Sequence, residues 1–336
     1  MFSVLHNRCV SVGLFAGLAL GMPLEAHASV VVSTKPTQNM SCVSGVCAPT
    51  AKDAVLNVAD LTTMLSGGDV TIQSASIAPD IIVKAALSWA STSRLTFDSY
   101  RSVEIDKPVT ATGTGAMTIT TNDGGSNGDL SFVGKGNVAF WDLNSSLVIN
   151  GQSYVLVGDI ATLAADIADN PSGFYALAKD YDASADGTYN SAPIKTALAG
   201  VMEGLGNSIS HMTIAVDKNE VEFGLFYDVG VGGVLRDLGV ADAQISNFGR
   251  AAFGGVISAA NDGSIVACWT SGKAVIPSGS GVGGLVDVNG GTISRSYSLV
   301  RVGSDGGRSG GLVAFNLGTI ERSFASGAVA TTRGSS

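Results

Sequence analysis

A chain of 336 residues with 14% charged side chains, 44 glycines and 45% hydrophobic residues is neither a disordered tail nor an ordinary cytosolic enzyme. The glycines keep no three-residue period, which excludes collagen. A formal net charge of -9 argues against nucleic acid or an anionic membrane as partner, because either needs a basic patch and no segment supplies one.

Residues 1–28 read as a signal peptide. Arg8 gives a positive start, Val10 to Met22 an apolar run, and Ala26-His27-Ala28 an A-x-A cleavage site. The run is shorter than the ~20 residues a spanning helix needs. The expected location is therefore outside the cell, extracellular or on the outer surface. Residues 29–52, with Pro36, Pro49 and many small polar residues, read as a linker. Cys42 and Cys47 lie close together within it, and in an oxidising compartment they are candidates for a small disulfide loop.

Residues 53–157 read as a strand-rich region opened by one short helix. Val58, Leu61 and Leu65 are spaced as one helical face and Gly67-Gly68 is a stop, so a helix over 58–66 is expected to cover one end of the strands after it. Bursts of period two then recur: Val70-Thr-Ile72, Ile81-Ile-Val83, Leu95-Thr-Phe97, Val103-Glu-Ile105, Met117-Thr-Ile119, Leu130-Ser-Phe132 and Leu147-Val-Ile149. Their spacing is uneven, so both solenoid coils and a sandwich fit this stretch. Residues 158–200 read as a helix and a connecting segment. The helix starts at the N-cap candidate Asp159 and ends at Asn170-Pro171.

From 201 to 336 the pattern is a repeat. Gly310-Gly311-Leu312-Val313, Asn316, Gly318-Thr319-Ile320, Arg322-Ser323-Phe324 recurs 27 residues earlier as Gly283-Gly284-Leu285-Val286, Asn289, Gly291-Thr292-Ile293, Arg295-Ser296-Tyr297. A more diverged copy is Gly254-Gly255-Val256-Ile257, Asn261, Gly263-Ser264-Ile265, Cys268-Trp269. Each copy holds apolar or β-branched runs too short for a free sheet, and a period in the high twenties means stacked coils that bury one another. The fold expected is all-β: a β-solenoid, a right-handed parallel β-helix, with one or two short helices.

The motif Gly-Gly-Leu-Val-x-x-Asn-x-Gly-Thr-Ile-x-x-Ser-Phe/Tyr resembles the GLUG repeat of filamentous-haemagglutinin-like bacterial adhesins and exoproteins. The copies span about 254–275, 283–302 and 310–329. The resemblance implies export, a β-helical shaft, and a role in adhesion or surface structure. It implies as partner a glycan or protein of a host or neighbouring cell, and an outer-membrane transporter for secretion. It carries no catalytic set.

Few residues suggest chemistry. Asp180, Asp182 and Asp186 before Gly187 are a calcium candidate, since calcium takes several oxygens from a flexible loop, although the spacing departs from the EF-hand; no other cofactor is expected. His211 is the one histidine after residue 28, too few for a histidine metal site, and it reads as an outward-pointing residue. Cys268 stands where Ser296 and Ser323 stand in the next copies and reads as a small core residue. Gly279 to Gly284 matches G-x-G-x-x-G but lacks the strand-then-helix context of a dinucleotide site. The enzymatic alternative is a polysaccharide lyase or glycoside hydrolase using carboxylates, or Asp with Arg, along the shaft. Its candidates are Glu220, Glu222, Asp228, Arg236, Asp237, Asp242, and Arg295 stacked with Arg322, and no spacing selects a pair among them.

Overall fold

The computed structural model describes residues 28–217, 221–247, 252–276, 281–305 and 307–332. The signal-peptide segment, all but Ala28, and Glu220 lie outside them. The chain is a parallel β-solenoid of about ten turns with two short helices. It is built in two halves that meet in one 13-stranded sheet.

In the first half, the period-two bursts stack in three walls. Val70, Leu95, Met117 and Leu147 pair in register along one inward row, and Ile72, Phe97, Ile119 and Ile149 along the next. All eight are buried. The alternation of each strand puts its Thr or Ser neighbours outward, so a row of apolar contacts forms each time a coil is added. Because the strands of each wall pair in parallel with the strand one coil on, and the chain passes from wall to wall within each coil, the sandwich alternative does not hold.

Residues 29–52 are part of this solenoid and not a linker. Ser29–Ser33 lies inside a sheet, its Val30 paired with both Ala54 and Ile81. Val30 and Val32 are fully buried. Its partners are distant in sequence, so the local composition hid it. Met40–Val43 and Val46–Pro49 form an antiparallel hairpin closed by the Cys42–Cys47 disulfide. Helix α1, Val58–Gly67, closes the first end. The Asn57 side chain accepts hydrogen bonds from the Ala59 and Asp60 amides, and Leu61 and Leu65 enter the core.

The halves join at a two-residue turn. Asn150 and Gly151 both have positive φ (48° and 79°), which suits a type I′ hairpin between Ser146–Ile149 and Gln152–Val157. Every later strand of the sheet therefore runs opposite to the first-half strands from Val46–Pro49 onward. The buried face changes too. Leu156 and Ala176 still pack on the first core, whereas Val157, Tyr175 and Leu177, which alternate with them, face the second. Reversing strand direction and core side together equals a half-turn about the stacking axis, so both halves wind with the same hand. Helix α2, Ile160–Asp169, then covers the start of the second core with Ile160, Leu163 and Ile167. Its Asp159 cap accepts from the Thr162 amide.

The repeat copies are successive coils of the second half. Leu235, Ile265, Ile293 and Ile320 share one row. Asn261, Asn289 and Asn316 share another: each Nδ2 donates to the Oδ1 of the next, at 2.6 and 2.7 Å. Inside an apolar coil this ladder satisfies groups that would otherwise be stranded. Gly283 has ordinary φ. It is required by close approach, since a Cβ there would lie 1.7 Å from the Val286 carbonyl oxygen.

Candidate functional site

Two outer regions of the second half bring polar side chains together. The first is the junction between the halves. Glu203 and Arg236 are neighbours in one outward row of the shared sheet. The Arg236 guanidinium meets Glu203 at 3.2 Å, Asp237 at 2.8 Å and Asp129 at 2.9 Å, and Arg295 meets the other oxygen of Asp129 at 2.7 Å. Asp129 comes from the first half. Burial pulls its carboxyl up, but Arg236 and Arg295 outweigh that and hold it below the usual range. Glu203 is 1% exposed, and burial, with Asp237 beside it, pushes its carboxyl well up. Burial and Glu203 raise the Tyr154 phenol to about 12.

Around this network the halves also share backbone bonds. The Val138 and Phe140 amides donate to the Leu205 and Ala178 carbonyls. Buried Asn207 donates to the carbonyls of Val138 and Leu177 and accepts from Asn137. A groove of about 320 Å³ beside it is lined by Phe132, Arg295, Trp269 and Tyr297. Trp269, Tyr297 and Phe324 stack one per coil, with centroids 6.2 and 5.2 Å apart and rings within 10° of parallel. Their faces are spent on one another, so only edges reach the groove. The junction is a set of internal bonds that hold two halves in place.

The second region is a corner cleft of about 370 Å³ on the flank of the repeat coils. Its lower level carries Glu222, Tyr227 and Asp228, its middle level Phe253, Ala259, Ala260 and Asp262, and its upper level Asp287 and Val288, with Arg308 reaching in from the coil above. Asp287 follows Ala259 and precedes Ala314 in its row, so it projects between small side chains. Gly281 opens the space it occupies, for a Cβ at that position would lie 2.4 Å from Asp287 Oδ1. Asp287 is 2% exposed. Among the described residues its Oδ1 has no hydrogen-bond partner, and neither has the buried Oδ1 of Asp228. Burial lifts the Asp287 carboxyl to about 6 against the opposing pull of Arg308, and burial followed by the nearby Asp262 charge raises Asp228. The Arg308 guanidinium lies 4.8 Å over the Phe315 ring.

The structure separates the sequence candidates. Glu222 and Asp228 lie in the cleft, Arg236, Asp237 and Arg295 at the junction, and Asp242 on an open surface with Asp182 and His211. Arg322 has the same positive φ as Arg295 one coil away. The calcium candidates have separate partners. Asp180 accepts from the Ser208 amide and hydroxyl, Asp182 from the Ser184 amide while meeting His211 Nδ1 at 2.9 Å, and Asp186 from the Tyr181 and Tyr189 hydroxyls. Among the described residues no three or more His, Cys, Asp or Glu side chains converge to hold a metal. His211 is exposed while Ile209 and Met212 are buried. Cys268 is fully buried.

Asp262, Asp287 and Arg308 were not singled out from the sequence. A signal was present: where the neighbouring copies have Ala259 and Ala314, this copy has Asp287. A charge at a repeat position otherwise filled by alanine marks a place where one coil differs from the rest. No family model, curated protein or solved structure matches the chain.

Proposed function

We propose that the chain is an exported bacterial surface or secreted protein, of the filamentous-haemagglutinin-like type with GLUG coils, acting in adhesion or surface structure. The observation that carries this reading is the strict register of the second half. Isoleucine, asparagine, serine and aromatic rows each repeat the same residue type from coil to coil. Such repetition gives a stiff shaft and lays out an extended flank for binding. Binding of the purified chain to host-cell and bacterial surfaces, compared with binding of a heat-unfolded sample, tests it. Equal retention of folded and unfolded chain, or none of either, would remove the adhesive half of the proposal.

A second reading, a polysaccharide-active enzyme, is favoured by the corner cleft alone. Asp287 and Asp228 stand two coils apart, ~10 Å along the axis at the usual strand spacing of about 4.8 Å. One of them is held partly protonated near neutral pH, as a general acid requires. Turnover of any oligosaccharide in a panel of neutral and acidic glycans, lost in Asp287→Asn, would replace the adhesive reading with this one.

A further inference from the structure

The cleft bounded by Asp287, Asp228, Phe253 and Arg308 contains acceptors without donors. Asp287 is almost wholly removed from water, yet among the described residues its Oδ1 has no hydrogen-bond donor, and the buried Oδ1 of Asp228 is in the same condition two coils below. Buried carboxylate oxygens in that state cost stability, and a ligand that supplies the missing donor is one way to offset that cost. The lining carries four carboxylates, from Glu222, Asp228, Asp262 and Asp287, against one guanidinium, from Arg308. That guanidinium stacks on Phe315, and among the described residues no ion pair joins it to Asp287.

Between the acceptors the walls are apolar: Phe253, Ala259, Ala260 and Val288, with the ring of Tyr227 at the rim. An acidic cleft whose walls, Asp262 apart, are apolar between Asp287 and Asp228 matches an aliphatic stem bearing a cation. The size agrees, since about 370 Å³ admits one long side chain with its backbone attachment and little more. A calcium ion suits it poorly, because the carboxylates are spread over three levels and no three converge. A guanidinium's planar fork is matched by paired oxygens in one plane, whereas the two buried acceptors here, one on Asp287 and one on Asp228, stand two coils apart, which suits the point charge of an ammonium.

We propose that this cleft is a docking site for a primary ammonium on an aliphatic stem, a lysine side chain of a partner protein. This rests on the adhesive reading for the existence of a partner, and it names the chemistry by which the flank would grip one. The ammonium lies against the Asp287 carboxylate, its stem over Phe253 and the two alanines. The proton and the ammonium compete for Asp287, whose carboxyl is also faced by Arg308 from the next coil and by Asp262, Asp228 and Glu222 from the coils below. Binding therefore strengthens as pH rises from 5 to 7.

The test is titration, by calorimetry or by backbone amide shifts, of the full chain with a short glycine-serine peptide carrying one lysine. The same peptide with ε-N-acetyl-lysine, spermidine, and an uncharged oligosaccharide serve as the other arms. The expected result is lysine-peptide binding that acetylation abolishes, that Asp287→Asn weakens at least tenfold, and that Asp242→Asn on the open surface leaves within twofold. Four results would overturn the assignment: no binding of the lysine peptide, equal binding of the acetylated form, no effect of Asp287→Asn, or tighter binding of the oligosaccharide than of the lysine peptide. Spermidine binding tenfold tighter than the peptide would overturn the protein source of the amine. The surface-retention assay is read separately, so an empty cleft on an adhesive chain is distinguishable from a chain that adheres to nothing.

Discussion

The two halves reach the same fold by different means. In the first, facing positions are filled by different shapes: Val70, Leu95, Met117 and Leu147 in one row, Ile72, Phe97, Ile119 and Ile149 in the next. Paired residues are separated by 25, then 22, then 30 positions, as from Val70 to Leu95, Leu95 to Met117 and Met117 to Leu147. In the second half the separations settle to 28 and 27, from Ser264 to Thr292 to Thr319, and most rows keep one residue type, as in Ile265, Ile293 and Ile320. Uneven coils must fit each neighbour individually. Uniform coils use one solution several times, so a change in one coil is felt as a break in a row.

The largest effect should come from breaking such a row at depth. Ile293 is fully buried between Ile265 and Ile320, and Ile293→Asp places an unpaired charge there at a cost above about 4 kcal/mol. Ile320, one coil on, is 37% exposed, and the same change there should cost about 1–2 kcal/mol. Protease sensitivity and denaturant midpoints of the two variants measure the contrast. Equal effects would mean that the rows do not add up coil by coil.

Next in size is the junction, where the halves are compared directly because they share it. Arg236→Ala leaves Glu203 and Asp237 buried beside Asp129 without their common cation, for an expected loss of about 3–5 kcal/mol. The loss should shrink in acid, because burial has already raised Glu203 and Asp237 and protonation removes their repulsion. Hydrogen exchange tells where it falls. The amides of Val138 and Phe140, which bond across the junction, should open before those of the repeat coils.

The contrast also explains what could be read without coordinates. The repeat rows were legible because identical residues recur, and Ile293, Asn289 and Ser296 announce their partners by position alone. The helices were legible from the spacing of Leu61 and Leu65 and from Asp159 ahead of Ile160. The place of Ser29–Ser33 was hidden, since Val30 owes its burial to Ala54 and Ile81. The reversal at Asn150-Gly151 was signalled locally by a dipeptide that favours a type I′ turn. Its consequence, a core on the other face of the sheet, depends on Leu156 and Val157 finding different neighbours, and no local pattern states that. The corner cleft was half legible: Glu222 and Asp228 were candidates, but the residue that completes it, Asp287, is set by what stacks above and below.

The asparagine row measures what uniform coils gain from polar repetition. Asn289 both accepts from Asn261 and donates to Asn316. Asn289→Leu removes both bonds of the row, with the longer ones from Asn289 Nδ2 to the Gly291 and Thr319 carbonyls, and leaves the buried Asn261 amide only its 3.3 Å bond to the Thr292 carbonyl, for an expected cost of about 2 kcal/mol. A stabilised variant would mean that plain apolar packing of the first-half kind serves as well.

Asp287 departs from its row, and the departure should weaken the fold. Its carboxyl titrates near 6 when folded and near 3.8 when not, so the folded chain holds the extra proton between those values. Stability therefore falls as pH rises from about 4 to 6 and stays lowered above that. Asp287→Asn should match the parent at pH 4 and exceed it by at least about 1 kcal/mol at pH 7, each tenfold change in proton affinity being worth about 1.4 kcal/mol. Denaturant curves at both pH values check the sign. A less stable variant at pH 7 would mean the carboxylate has donors that its surroundings do not show.

The smallest effect belongs to Cys268, where one coil carries a different atom in an otherwise uniform row. Ser296 and Ser323 each donate from Oγ to the carbonyl two residues before, Ser294 and Glu321, and accept from the amide one coil below, that of Cys268 and of Ser296. Cys268 Sγ meets the Val266 carbonyl in the same relation, at 3.4 Å. Burial pushes its thiol far up, so it stays protonated and offers no thiolate for chemistry. Cys268→Ser keeps the relation with a shorter, stronger donor while giving up some apolar contact with the core, and the two changes should cancel to within about 0.5 kcal/mol. Cys268→Val keeps the contact and loses the bond to the carbonyl, so it should be the less stable of the two. If the order is reversed, the serine row is packing with incidental hydroxyls, and the second half holds together as the first does.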